Sequence, residues 1–154
     1  MADEGPRGDR PKPRLFIDAD VLFAGSAAPS EHGASLVVLR MAEITLVEAY
    51  TCQQVIGEAE RNLAKKLPGV LPTFRLIVDR CLRVVPDADR EAVKQFEGLA
   101  NPVDLPIFVS ALLHDCPWLV TFNTRHYQPG HPKVSVLTPG EFLVQVRDLL
   151  ARMN

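Results

Sequence analysis

Residues 15–22, Leu15-Phe16-Ile17-Asp18-Ala19-Asp20-Val21-Leu22 (LFIDADVL), govern how the rest of the chain is read. Three large apolar residues halted by an acid read as a short buried strand whose carboxyl end presents Asp18 and Asp20. In an extended chain, residues two apart share a face, so both carboxylates point the same way. Residues 21–28 are small and apolar and suit a short helix or turn. In open α/β sheets, ligands bind beyond the carboxyl ends of the strands, which makes Asp18 a candidate for chemistry. The plain alternative is a turn-forming or helix-capping Asp, common after a strand.

On the amino-terminal side, residues 1–13 (MADEGPRGDRPKP) hold three prolines and two glycines among mixed charges. They cannot bury an apolar face, so a disordered tail is expected there, with 14–154 as one domain. On the carboxyl side the pattern alternates. A helix is expected from about Glu31 to Met41 with Ser30 as its cap, then a strand over Ile44 to Val47. Thr51 is expected to cap a helix over about Cys52 to Lys66, which stops before Pro68-Gly69. Pro72 to Asp79 reads as helical and Cys81 to Val85 as a strand, with Asp87 capping a helix through Phe96. Asn101-Pro102 reads as the start of a helix to about Asp115. Strands are expected at Trp118 to Phe122 and Val134 to Leu137. Thr138-Pro139-Gly140-Glu141 has the form of a capping box opening a final helix. Strands separated by helices predict a three-layer α/β/α fold with a mainly parallel central sheet.

The chain has 154 residues, 47% hydrophobic and 23% charged, which suits one ordinary water-soluble domain. No apolar run reaches the roughly 18–20 residues that span a bilayer, and the polar amino terminus does not read as a signal peptide. Cys52, Cys81 and Cys116 form no CxxC pair and suggest buried thiols in a reducing compartment, so a cytoplasmic location is expected. A net charge of −2 excludes a wholesale basic nucleic-acid binder. Attraction to nucleic acid would have to be local, from cations at a cleft, a bound metal or a partner chain.

Other acids deserve comparison with Asp18. Glu58 and Glu60 flank the apolar stripe Val55, Ile56, Ala59 and Leu63 on opposite sides, and periodicity cannot choose between them. Either can equally be solvated or paired with Arg61, Lys65 or Lys66. Asp104 shares a helical face with Ile107, Phe108, Ala111 and Asp115, where a carboxylate needs a partner or a metal. Pro106 lacks an N–H, so Asp104 as a late helix cap is the competing reading. Thr121 and Asn123 stand at the end of the Trp118 strand, in the same kind of place as Asp18. Acids from separate elements that converge on one cleft suit Mg²⁺ or Mn²⁺, which prefer oxygen ligands. His126 and His131 match no metal-binding spacing and read as loop histidines.

Taken in order, these elements resemble the PIN-domain family, including its VapC-type ribonucleases. LFIDADVL resembles the first family motif, with Asp18 at the leading acid and Asp20 at a position more often Asn, Ser or Thr. VIGEAERNL resembles the second and places the acid at Glu58 rather than Glu60. NPVDLPIFVSALLHDCPWLVT resembles the third through Asp104, with Asn101 where Asp is frequent. LVTFNTRHY resembles the fourth, where Asn123 takes a place frequently held by Asp. VSVLTPGEFL resembles the closing strand and helix, so the likeness covers about residues 14 to 145. It implies a Mg²⁺- or Mn²⁺-dependent nuclease of single-stranded RNA, often the toxin of a toxin–antitoxin pair and often a homodimer. It implies catalysis by Asp18, Glu58, Asp104 and Asn123, with Asp18, Glu58, Asp104 and Asp20 as metal ligands. Thr121 and Arg125 are then candidates for phosphate contact. An amide at 123 cannot ionise, which removes one charge that Asp20 can partly restore. Two rivals stand beside this reading: a non-catalytic PIN scaffold that binds RNA or a protein, and a haloacid-dehalogenase-like phosphatase using Asp18 and Asp20.

Overall fold

A computed structural model describes residues 12–27 and 33–152. Most of the expected tail, residues 1–11, and the expected cap at Ser30 and helix start at Glu31 lie outside the described residues. The first strand, β1 (Arg14–Ile17), occupies the middle of a five-stranded sheet. Leu15, Phe16 and Ile17 are each 0% exposed although successive side chains point to opposite faces. Both faces of the sheet are therefore covered, and burying each of these side chains stabilises the fold by about 1.5–3 kcal/mol. β1 pairs in parallel with β2 (Glu48–Cys52) on one side and β4 (Trp118–Val120) on the other. The outer strands are β3 (Leu82–Val85), parallel to β2, and β5 (Ser135–Leu137), parallel to β4. The order β3-β2-β1-β4-β5 makes the all-parallel sheet flanked by helices that strand–helix alternation predicts.

The helices are α1 (Ala19–Ala27), α2 (Gly33–Glu43), α3 (Gln53–Lys66), α4 (Leu71–Cys81), α5 (Arg90–Gln95), α6 (Leu105–Leu113) and α7 (Pro139–Arg152). Helices α1 to α4 pack on one another, whereas α6 lies against β2, β4 and α5. Gly25 brings α1 and α2 together: a Cβ there would stand 2.5 Å from the Leu39 Cδ1 atom. The capping box forms as expected. The Thr138 N–H donates to Glu141 (2.9 Å) and the Glu141 N–H donates back to the Thr138 hydroxyl (3.2 Å). Among the described residues no helix is long and apolar enough to cross a membrane, and Cys52, Cys81 and Cys116 are all unpaired.

Four local expectations are corrected. Ile44 to Val47 is not a strand, because α2 ends in a Schellman turn across it. Leu46 N–H donates to Met41 O and Thr45 N–H to Ala42 O, with Thr45 left-handed at φ 64°. Ile44 and Leu46 are left in solvent, 63% and 55% exposed, and the strand forms at Glu48–Cys52. Thr51 caps nothing, since its hydroxyl donates to Ile17 O at 2.9 Å. The open N–H of Gln54 in the first turn of α3 is met instead by Asp87 Oδ1 at 2.8 Å. Asp87 therefore serves a helix 33 residues away, and Asp89 caps α5 by accepting from Ala92 N–H at 2.8 Å. Helix α6 begins at Leu105 rather than Asn101, with Asp104 in the cap position, and a second Schellman turn at Asp115 (φ 54°) closes it.

Candidate active site

Strand order reverses between β1 and β4, so their carboxyl ends open a crevice at the point where ligands gather in such sheets. Asp18 follows β1 there, its N–H bonded to Val120 O (3.0 Å) and its side chain 6% exposed. Burying an ionised carboxylate is costly unless donors surround it. Asp18 Oδ1 accepts from Ala19 N–H (2.8 Å), and Oδ2 accepts from the Tyr127 hydroxyl (2.7 Å) and the Thr121 hydroxyl (2.9 Å). Tyr127 is 1% exposed, and burial followed by the Asp18 charge pushes its phenol far up, so it stays protonated and donates.

Asp20 stands in the first turn of α1, where helix N–H groups favour an anion. Its Oδ2 accepts from Phe122 N–H (3.0 Å) and the Asn123 side-chain amide (3.1 Å), with the Thr121 hydroxyl at 3.3 Å. That hydroxyl has one proton, and the shorter contact gives it to Asp18. It accepts in turn from Asn123 N–H at 3.0 Å. Burial first, and then the Asp18 charge, push the Asp20 carboxyl up to about 6, against the hydrogen bonds that lower it.

Glu58 and Asp104 arrive from the other side of the crevice. Glu58 lies one turn beyond Gln54 on α3. Its carboxyl is raised by burial, then by the charges of Asp18 and Asp104, while Arg61 opposes the shift. The Asp104 side chain takes no hydrogen bond from the helix it precedes, although its carbonyl accepts from Ile107 N–H and Phe108 N–H. It too is raised by burial and then by Asp18, and His126, whose Nδ1 is 3.3 Å from Asp104 Oδ2, lowers it. The Gln54 amide donates to Val103 O (3.0 Å), tying the helix of Glu58 to the turn carrying Asp104.

The structure thus brings Asp18 within electrostatic reach of Asp20, Glu58 and Asp104, with Thr121 between Asp18 and Asp20 and the Asn123 amide on Asp20. Glu60 turns away and pairs with Arg75 at 3.6 Å, which separates two acids that periodicity left equivalent. Thr121, expected at the substrate, is 0% exposed and its hydroxyl is held by Asp18 and Asn123 N–H. Arg125 is exposed on the 3-10 turn Thr124–Tyr127. His126 faces an acid, while His131 Nδ1 accepts from Lys133 N–H at 3.1 Å within its loop. Among the described residues, no three His, Cys, Asp or Glu side chains close into a metal cage. The sequence reading missed Tyr127 and Gln54. Tyr127 in LVTFNTRHY carried the only available signal, a lone aromatic hydroxyl soon after a strand end.

Asp18 after β1, Asp20 on α1, Glu58 on α3 and Asp104 before α6 thus belong to one parallel α/β domain, the first of them at its switch point. The sequence profile describing the PIN domain matches residues 14–125, and the chain belongs to the PIN-domain family. Solved structures agree on the fold. VapBC2 from Rickettsia felis, bound to a DNA fragment from its promoter, is similar with a TM-score of 0.59 at 13% identity, over 80% of this chain and 96% of that one. The sarcin-ricin loop cleaving toxin VapC20 from Mycobacterium tuberculosis is similar with a TM-score of 0.51 at 15% identity, over 68% and 86%. No curated protein matches the chain.

Proposed function

We propose that this PIN domain, residues 14–154, is a metal-dependent endoribonuclease acting on single-stranded RNA. The observation that carries the reading is the gathering of its acids: burial first, and then the Asp18 charge, raise the carboxyls of Asp20, Glu58 and Asp104 together. Like charges gathered at a crevice are stable only when something positive joins them. The donor set is all oxygen, which fits Mg²⁺ or Mn²⁺ better than softer metals. Asp18, Glu58 and Asp104 would hold the ion, with Asp20 at the edge of the set. When bound, such an ion neutralises phosphate charge and makes water a better nucleophile near neutral pH.

The remaining work falls to the chain. Tyr127 and Thr121 fix Asp18 by donating to one of its oxygens. Arg125, exposed beside the crevice, contacts a phosphate of the RNA. His126 Nδ1 lies 3.3 Å from Asp104 Oδ2 and works against the rise of that carboxyl.

Family membership and the likeness to VapBC2 and VapC20 support a toxin role with an antitoxin partner; a homodimer in the cytoplasm belongs to the same reading and rests on the resemblance of the motifs. Membership in the PIN family also weighs against a phosphatase with Asp18 as nucleophile. The test is cleavage of single-stranded RNA with Mg²⁺ or Mn²⁺ by the wild type and by Asp104→Asn. Loss in the variant is expected, and equal activity would remove the assignment. A protein that takes up no Mn²⁺ at millimolar concentration by calorimetry is instead a non-catalytic scaffold.

A further inference from the structure

We infer that Asn123 is a positioning residue. Its side-chain amide fixes the Asp20 carboxylate across the gap between β1 and β4, so that Asp20 carries the negative charge of that corner toward the cation. The second half of this statement rests on the metal-dependent reading above; the first half does not.

Three observations carry it. The Asn123 Nδ2 stands 3.1 Å from Asp20 Oδ2, and only the amide nitrogen can face an anion at that distance. The neighbouring Phe122 N–H reaches the same oxygen at 3.0 Å, so residues 122 and 123 hold Oδ2 from two directions. Asp20 Oδ1 stands 3.5 Å from the Thr121 hydroxyl, whose proton is spent on Asp18 at 2.9 Å, while the Val21 N–H also supports the carboxylate. Oδ2 is the oxygen that residues 122 and 123 anchor. Asn123 also acts through its backbone, since its N–H donates to Thr121 at 3.0 Å. One residue thereby braces the support of Asp18 and the carboxylate of Asp20 at once. A carboxylate at 123 would oppose Asp20 at hydrogen-bond distance, and this conflict exists only while residue 20 is itself an acid.

That dependence supplies the experiment. Asn123→Asp is melted without metal in the wild type and in an Asp20→Ala background. It is expected to lower Tm by about 2–4 °C in the first and by less than about 1 °C in the second. An equal drop in both backgrounds would overturn the clamp. Mn²⁺ calorimetry then separates clamp from ligand. Asn123→Ala is expected to weaken Mn²⁺ about tenfold when Asp20 is present and less than about twofold in an Asp20→Asn background. Equal loss in both backgrounds would make Asn123 act on the ion directly and overturn the proposal. Wild-type protein that binds no Mn²⁺ at all would sink the metal reading and the charge-carrying role of Asp20, while the melts still decide the clamp.

Discussion

On the strand flank of the crevice, Asp18 and Asp20 accept hydrogen bonds from Ala19 N–H, Phe122 N–H, the Thr121 and Tyr127 hydroxyls and the Asn123 amide. On the helix flank, among the described residues, Glu58 accepts none and Asp104 meets only His126 at 3.3 Å. The strand flank is buried and wired, so its charges are fixed before any ligand arrives. The helix flank is more open, and its acids are placed by helix and turn geometry rather than by donors. A rigid half and an adjustable half can together close on an ion that neither holds alone. The carboxylates most costly to bury received the donors, and those nearer solvent were left to repel.

Asp18 offers the sharpest way to break this contrast. Asp18→Ala is expected to reduce RNA cleavage by more than about a hundredfold. It should also destabilise the fold by about 2–4 kcal/mol, because it strands two buried hydroxyls at about 1–3 kcal/mol each. Asp104→Asn should lose cleavage to a similar degree yet leave urea unfolding within about 0.5 kcal/mol. Equal destabilisation by the two variants would erase the distinction between the flanks. Tyr127→Phe tests the wiring alone: removing one donor to a buried anion should cost about 1.5–3 kcal/mol in urea unfolding, and an unchanged midpoint would contradict it.

Protons probe the repulsion. Folding raises the Asp20 carboxyl from 3.8 to about 6, so between those values the native state holds more protons than the unfolded one. The associated stability is complete below 3.8, is lost as pH rises through about 6, and Glu58 and Asp104 shift in the same direction. The metal-free protein should therefore gain about 1 kcal/mol from pH 7.5 to 5, allowing for solvent screening. Asp20→Asn should flatten this dependence, and an equal slope in the variant would place the repulsion elsewhere. The smallest effect is expected at Gln54→Ala, which frees Val103 O. It should cost about 0.5 kcal/mol and lower kcat a few-fold without changing KM for RNA; a change in KM alone would assign Gln54 to substrate binding.

Much of this architecture was legible in LFIDADVL, because a buried parallel strand must be apolar on both sides, while the acid at its end was legible only as a candidate beside the plain reading of a turn or cap residue. The parallel sheet followed from alternation, and both elements of the final capping box sit three residues apart. What depended on distant partners was not legible. The strand at Glu48–Cys52 is less β-like than Ile44 to Val47, and pairing with β1 selects it over local preference. Asp87 looked like the cap of the following helix, yet its partner is 33 residues earlier. Glu58 and Glu60 were equivalent by period until Arg75 claimed one of them. Tyr127 could not be found from its neighbours, since its meaning lies in Asp18.

The contacts that complete the Asp18 environment reach across 103 and 109 residues of chain. A polypeptide leaving the ribosome amino end first exposes its leading acid long before Thr121 and Tyr127 have been synthesised. Nearly the whole domain must emerge and fold before the crevice exists. Under the proposed ribonuclease function, that order of assembly would spare the messenger from which the chain is being translated.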